Sequence, residues 1–144
     1  MTPAAVVLVC AIQLLGRSPE SFPRIELIDV RPPHASANAE AFVDPRTSTI
    51  YVMTTSEVFR AALQAKGRCG STEPLRKLAS ILVHEEWHVL HGSDEESAYA
   101  AQLTTVAMLS GPDSPLYNSV RRSMVAVLAQ QRMRIARTNV VAMR

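Results

Sequence analysis

Cysteine is scarce in this chain. Cys10 and Cys69 are the only two, and neither belongs to a CxxC or CxxxC spacing, so a thiolate zinc site is excluded. A disulfide between two such distant cysteines suits an exported protein, but the sequence does not imply one. Long apolar runs are also lacking. Ala4 to Leu15, an apolar run broken by Gln13, falls short of the roughly 20 residues that a membrane-spanning helix needs. Excess charge of one sign is absent: the net charge is only +2, with 19% charged and 47% apolar residues. That balance excludes a disordered chain and describes a globular one. There are no internal repeats and no low-complexity tracts.

A chain of 144 residues is long enough to bury a real core and is expected to form one domain over 1–144. Its cations are almost all arginine, concentrated at Arg121, Arg122, Arg132, Arg134 and Arg137. Such a C-terminal helix can touch nucleic acid or anionic lipid, but a solvated face is the simpler reading. No nucleic-acid partner and no membrane span are expected. Residues 1–16 have the length of a signal-peptide core, yet no Lys or Arg precedes the apolar run. A buried first helix ending near Gly16 is preferred, and with it a cytoplasmic location over export.

Ser18-Pro19 and Phe22-Pro23 break the chain after that helix. Arg24 to Val30 reads as a strand, ended by Pro32-Pro33. Ala39 to Val43 and Thr49 to Thr54 read as two more, joined through the turn cluster Asp44 to Ser48 as a hairpin. Ser56 caps a helix to about Ala65. Gly67 to Gly70 is a loop. Ser71 or Thr72 caps a helix with Pro74 in its first turn, running to about His91 and stopped by Gly92. Ser93 to Glu96 reads as a capping box opening the next helix, which ends before Gly111-Pro112. Pro115 starts a last helix, to about Arg137. Strands early and helices late predict an α+β domain.

The long helix after Thr72 contains His84-Glu85-Glu86-Trp87-His88, an HExxH motif. Residues four apart share a helix face, so His84 and His88 can offer two imidazoles to one metal ion. Glu85 beside them can act as general base on water. This is the arrangement of zinc-dependent peptide hydrolysis. A catalytic zinc site needs a third protein ligand. His91, about 10 Å along the helix from His84, is too far and belongs with the free carbonyls at the helix end. Asp94 sits where HExxHxxGxxH has its last histidine, but His91 occupies the glycine position of that pattern. Glu96 is assigned to the capping box. Glu95 has no such role and heads the stripe Tyr99, Leu103 (or Gln102), Val106, so Glu95 is the favoured ligand.

Three stretches, in order, resemble the gluzincin metallopeptidases, especially their soluble single-domain minigluzincin type. They are Asn38-Ala39-Glu40-Ala41 followed by Ile50-Tyr51-Val52, then Leu78 to Glu85, then Glu95-Glu96-Ser97-Ala98-Tyr99. The resemblance implies a zincin-like fold, with a small early sheet packed on a central HExxH helix, a glutamate helix and a C-terminal helix. It implies Zn²⁺ on His84, His88 and Glu95, and an edge strand at Asn38, Ala39 and Ala41 that binds an extended peptide. Two departures stand out. Only six residues separate His88 from Glu95, and Tyr99 replaces the family's aspartate that supports a ligand histidine.

The expected activity is therefore that of a zinc metallopeptidase, with Glu85 catalytic and a peptide or protein as substrate. Tyr99, Tyr117 and Arg121 are the candidates for the oxyanion donor. Two alternatives stand beside this reading: a regulatory metalloprotease dedicated to one partner, and a non-catalytic metal-binding or structural protein. Retention of Glu85 speaks against the latter.

Overall fold

The computed structural model describes residues 1–65 and 69–142. The chain opens with α1 (Pro3–Leu14), passes a single 3-10 turn at Pro19–Ser21, and enters β1 (Ile25–Ile28), β2 (Ala41–Asp44) and β3 (Thr49–Met53). Four helices follow: α2 (Glu57–Gln64), α3 (Glu73–His91), α4 (Glu95–Ser110) and α5 (Pro115–Ala142). The architecture is α+β, with a three-stranded mixed sheet in the order β1-β3-β2. β2 and β3 form an antiparallel hairpin that pairs Phe42 with Tyr51, and β1 lies parallel to β3 with Ile25 opposite Ile50.

β3 lies between the other two strands and is buried at Ile50, Val52 and Met53, which is why it reads as a continuous apolar run. β2 is an edge strand. It begins at Ala41, so Asn38 and Ala39, expected within a strand, lie in the turn before it. Backbone bonds explain the shift: Ala39 N–H donates to Ser36 O at 3.1 Å, and the Arg31 guanidinium holds the carbonyls of Ser36 and Ala39. The chain is thus tied into a local turn and is not free to extend.

α3 is the centre of the molecule. Leu75, Leu78, Ala79 and Leu82 are buried against Ile12 of α1, Ile50 and Val52 of β3, and Phe59 of α2. Each fully buried aliphatic or aromatic side chain there contributes roughly 1.5–3 kcal/mol. Residues 1–16 are part of this core: Cys10, Ala11 and Ile12 are buried, and Gly16 takes a positive φ just after the helix, as the first-helix reading expects. A second, smaller cluster joins α4 and α5 through Leu103, Val106, Leu116 and Val120. Among the described residues no helix is long and apolar enough to cross a membrane.

Two long-range ties fix α1 to the rest. Cys10 and Cys69 form a disulfide that closes a sequence separation of 59. Cys69 lies in the segment before α3; Gly67 and Arg68, expected in the same loop, lie outside the described residues. Arg17, just after α1, makes a two-pronged bond to Glu86 on α3, both arms 2.6 Å. Its guanidinium also donates to Ser21 O at 2.8 Å and stacks 3.9 Å above the Phe22 ring. A bidentate, stacked arginine is the strong form of ion pair.

Candidate metal centre

The nineteen-residue α3 delivers His84 and His88 one turn apart on one face. Gly92, at φ 108°, then ends the helix in a conformation that a side chain would strain. The chain reverses, and α4 starts at Glu95. The helix cap is Asp94, not Ser93: Asp94 accepts from Glu96 N–H at 3.2 Å and from the Ser97 hydroxyl at 2.6 Å. The expected Ser93–Glu96 capping box is therefore replaced by an aspartate cap one residue later. The Asp94 carboxylate is a charged acceptor, which satisfies the Glu96 amide and suits the helix N-terminus.

This start places Glu95 against both histidines. One nitrogen of each imidazole and a carboxylate oxygen of Glu95 all lie within 4.8 Å of one another. His84 Nε2 and His88 Nε2 are 3.2 Å apart, His84 Nε2 and Glu95 Oε1 are 3.3 Å apart, and His88 Nε2 also contacts Glu95 Oε1. His91 and Asp94 are outside the group. His91 Nδ1 contacts Trp87 O at 3.2 Å, and its ring stacks on Trp87. Glu96 is exposed.

The partners of the other ring nitrogens bear on which tautomer each imidazole adopts. His84 Nδ1 lies 2.8 Å from Gln102 Oε1, and His88 Nδ1 lies 2.7 Å from Gly92 O. The Gln102 amide is itself oriented: its Nε2 donates to Ser80 Oγ at 3.2 Å, and Ser80 donates to Lys77 O at 2.7 Å. Both Nδ1 atoms thus face acceptors, which favours the tautomer with its proton on Nδ1. Both Nε2 atoms then present lone pairs to each other and to a carboxylate. Three lone pairs converging at this distance repel unless a metal ion or a proton lies between them. For an ion bound at about 2.0–2.1 Å, a tetrahedral shell has ligand-to-ligand edges of about 3.3 Å, close to two of the three spacings, 3.2 and 3.3 Å, while the third, His88 Nε2 to Glu95 Oε1, is tighter and would open to admit an ion. His84, His88 and Glu95 therefore form a group that can hold a metal ion.

Where a proton takes the place of the metal ion, it sits on an Nε2 and is shared with Glu95. Burial opposes ionisation of Glu95, but the hydrogen bonds from His84 and His88 outweigh it and bring its carboxyl down to about 2. Burial pulls His88 down, and the bonds to Glu95 and to the Gly92 carbonyl more than compensate, leaving it raised. Glu85 is buried beside the group, and burial pushes its carboxyl up despite the two histidines. A carboxyl raised toward neutrality is suited to taking and returning a proton.

Of the three oxyanion candidates, Tyr99 is brought to the site. Its ring meets His84 edge-on with centroids 4.5 Å apart, and burial pushes its hydroxyl up to about 12. Tyr117 packs instead in the α4–α5 cluster, and Arg121 is exposed on α5. Asn38 and Ala39 are not strand residues, but they line an open cleft of about 510 Å³ with Glu40, Glu57 and Lys77. Lys77 stands two turns before His84 on α3. Ala41 opens β2. The role of Gln102 was not read from the sequence. It lies seven residues after Glu95, on the same face of α4, and that spacing was the available sign. Comparison with protein-family models, curated proteins and solved structures finds no match.

Proposed function

We propose that this protein is a zinc-dependent peptide hydrolase of gluzincin type. The observation that carries the reading is the convergence of one nitrogen each of His84 and His88 with a Glu95 carboxylate oxygen, while Gln102 Oε1 and the Gly92 carbonyl stand against the two Nδ1 atoms. Two neutral imidazoles and one carboxylate are the donor set of a catalytic zinc site with an open position. When bound, zinc supplies Lewis acidity that polarises a carbonyl and makes water nucleophilic near neutral pH. Glu85 takes the proton from the attacking water and delivers it to the leaving amine. The Tyr99 hydroxyl, protonated up to about 12, is the donor placed to hydrogen-bond the carbonyl oxygen as charge develops on it. The unpaired edge of β2, Ala41–Asp44, offers backbone groups to an extended peptide.

A structural metal site would bury four protein ligands and would have no use for an acid beside the first histidine. Glu85, buried at 8% exposure and not part of the ligand group, favours the hydrolase. The Cys10–Cys69 disulfide suits an oxidising compartment over the cytoplasmic location preferred from the sequence. The test is metal content together with hydrolysis of a mixed peptide library. The purified protein should carry one zinc per chain and cleave peptides, and His84→Ala and His88→Ala should lose both. Stoichiometric zinc retained in both variants would refute the site.

A further inference from the structure

The last helix is much longer than anything it packs against. α5 has 28 residues and its neighbour α4 has 16, about 42 Å against 24 Å. The shared cluster takes only Leu116, Tyr117, Val120 and Met124 from α5. Every residue from Arg132 to Val140 is exposed. α5 also carries Arg121, Arg122, Arg132, Arg134 and Arg137 and not one acidic residue.

Charge around this helix is confined to one side, where the exposed Val125, Met133 and Val140 also lie. At 3.6 residues per turn, Met124, Val127, Leu128, Gln131, Ile135 and Thr138 fall in one sector roughly 100° wide that contains no charge. Arg132 and Arg134 stand just outside its two borders, and Arg122 and Arg137 lie behind. Ile135 is 60% exposed. The sector prolongs the stripe that Leu116 and Val120 bury against α4: Met124, Val127, Leu128 and Gln131 are half-buried, and from Arg132 onward the sector is exposed.

We propose that the distal half of α5 lies on an anionic membrane surface. The apolar sector enters the headgroup–acyl boundary, and the flanking guanidinium groups meet lipid phosphates, which a planar arginine binds through two bonds. Charge complementarity selects this occupant. A second α5 packed along this one would offer no acid to pair with its arginines. Duplex nucleic acid would take the charge but leave Leu128 and Ile135 in water. The inference is independent of the metal site.

The test is co-sedimentation of the full chain with vesicles of phosphatidylcholine plus phosphatidylserine, against phosphatidylcholine alone. Binding is expected on the anionic vesicles only, and it should weaken as salt is raised. Replacing Arg132, Arg134 and Arg137 together by Gln should lower the partition by roughly 100-fold. The charge-neutral pair Leu128→Ser and Ile135→Ser should lower it at least about tenfold. Equal sedimentation with both vesicle types overturns the proposal. So does unchanged vesicle binding by the Leu128/Ile135 variant, which would leave charge as the sole cause. Binding to a DNA duplex or to polyglutamate with none to anionic vesicles would assign the helix to another partner and refute this one. If a variant loses its thermal transition, the salt titration of the unaltered protein on the two vesicle types decides alone.

Discussion

Glu85 follows His84 on α3, and Gln102 meets its ring from α4; the proposed function gives them different roles. Glu85→Gln keeps size and shape but cannot accept a proton. Zinc should remain, and peptide hydrolysis should fall by about 10²–10⁴-fold. Metal analysis and kcat/KM on the same sample check this; loss of the metal would show that Glu85 is a ligand. Gln102→Leu removes the acceptor for His84 Nδ1 and leaves Ser80 without its donor. The imidazole is then free to rotate or change tautomer, and zinc affinity should drop about 10–100-fold. A competition titration with a metal-sensitive chelator reads that loss. Glu95→Ala should weaken zinc binding further, whereas Glu96→Gln should not change it, because Glu96 is exposed and Asp94 holds the cap. If Glu96→Gln loses zinc and Glu95→Ala keeps it, the ligand is misassigned. His84 and His88 were legible because helical spacing alone puts them together, and Glu95 because it heads an apolar stripe. Gln102 was hidden because an amide in such a stripe has no distinguishing pattern until its partner across the helix pair is known. The cap was misplaced because Ser93 and Asp94 are both good cap residues, and only the backbone turn at Gly92 chooses between them.

Elements were read more surely than the ties between them. The hairpin, the long central helix and the early sheet follow from apolar periodicity and turn residues. The start of β2 was missed by two residues because the Arg31 side chain, which fixes the preceding turn, acts across eight positions. The disulfide was undecided because two isolated cysteines have no spacing to interpret, and only folding brings α1 beside the segment before α3. Its consequence is measurable. A cross-link over a separation of 59 residues is worth about 4 kcal/mol in chain entropy. Cys10→Ser combined with Cys69→Ser should therefore lower Tm by about 10 °C. Reducing agent should do the same to the unaltered protein and nothing to the double variant. A Tm that ignores both changes would mean that the core and the Arg17–Glu86 pair already hold α1 in place.

At the scale of the whole molecule, the group that can hold a metal ion comes only from α3 and α4, while most buried side chains belong to the cluster around α1, α2, α3 and the sheet. The two are separable. Folding should not depend on the ion as it does in small zinc-folded domains, because the main cluster has its own apolar core. Metal should still stabilise the native state by mass action, by about 4 kcal/mol at a free zinc concentration 1,000 times Kd. For a chain of this length that is a Tm shift of about 10 °C. A chelator should therefore lower Tm while leaving the helical circular dichroism at 25 °C intact. The shift should persist in Glu85→Gln, which keeps every ligand, and shrink sharply in Glu95→Ala, which loses one. Thermal melts of the three proteins with and without chelator separate the possibilities. Collapse of the helical signal on chelation would mean that the ion organises the core itself. A zinc-dependent shift as large in Glu95→Ala as in the unaltered protein would mean that the carboxylate beside the two histidines is not part of the metal shell.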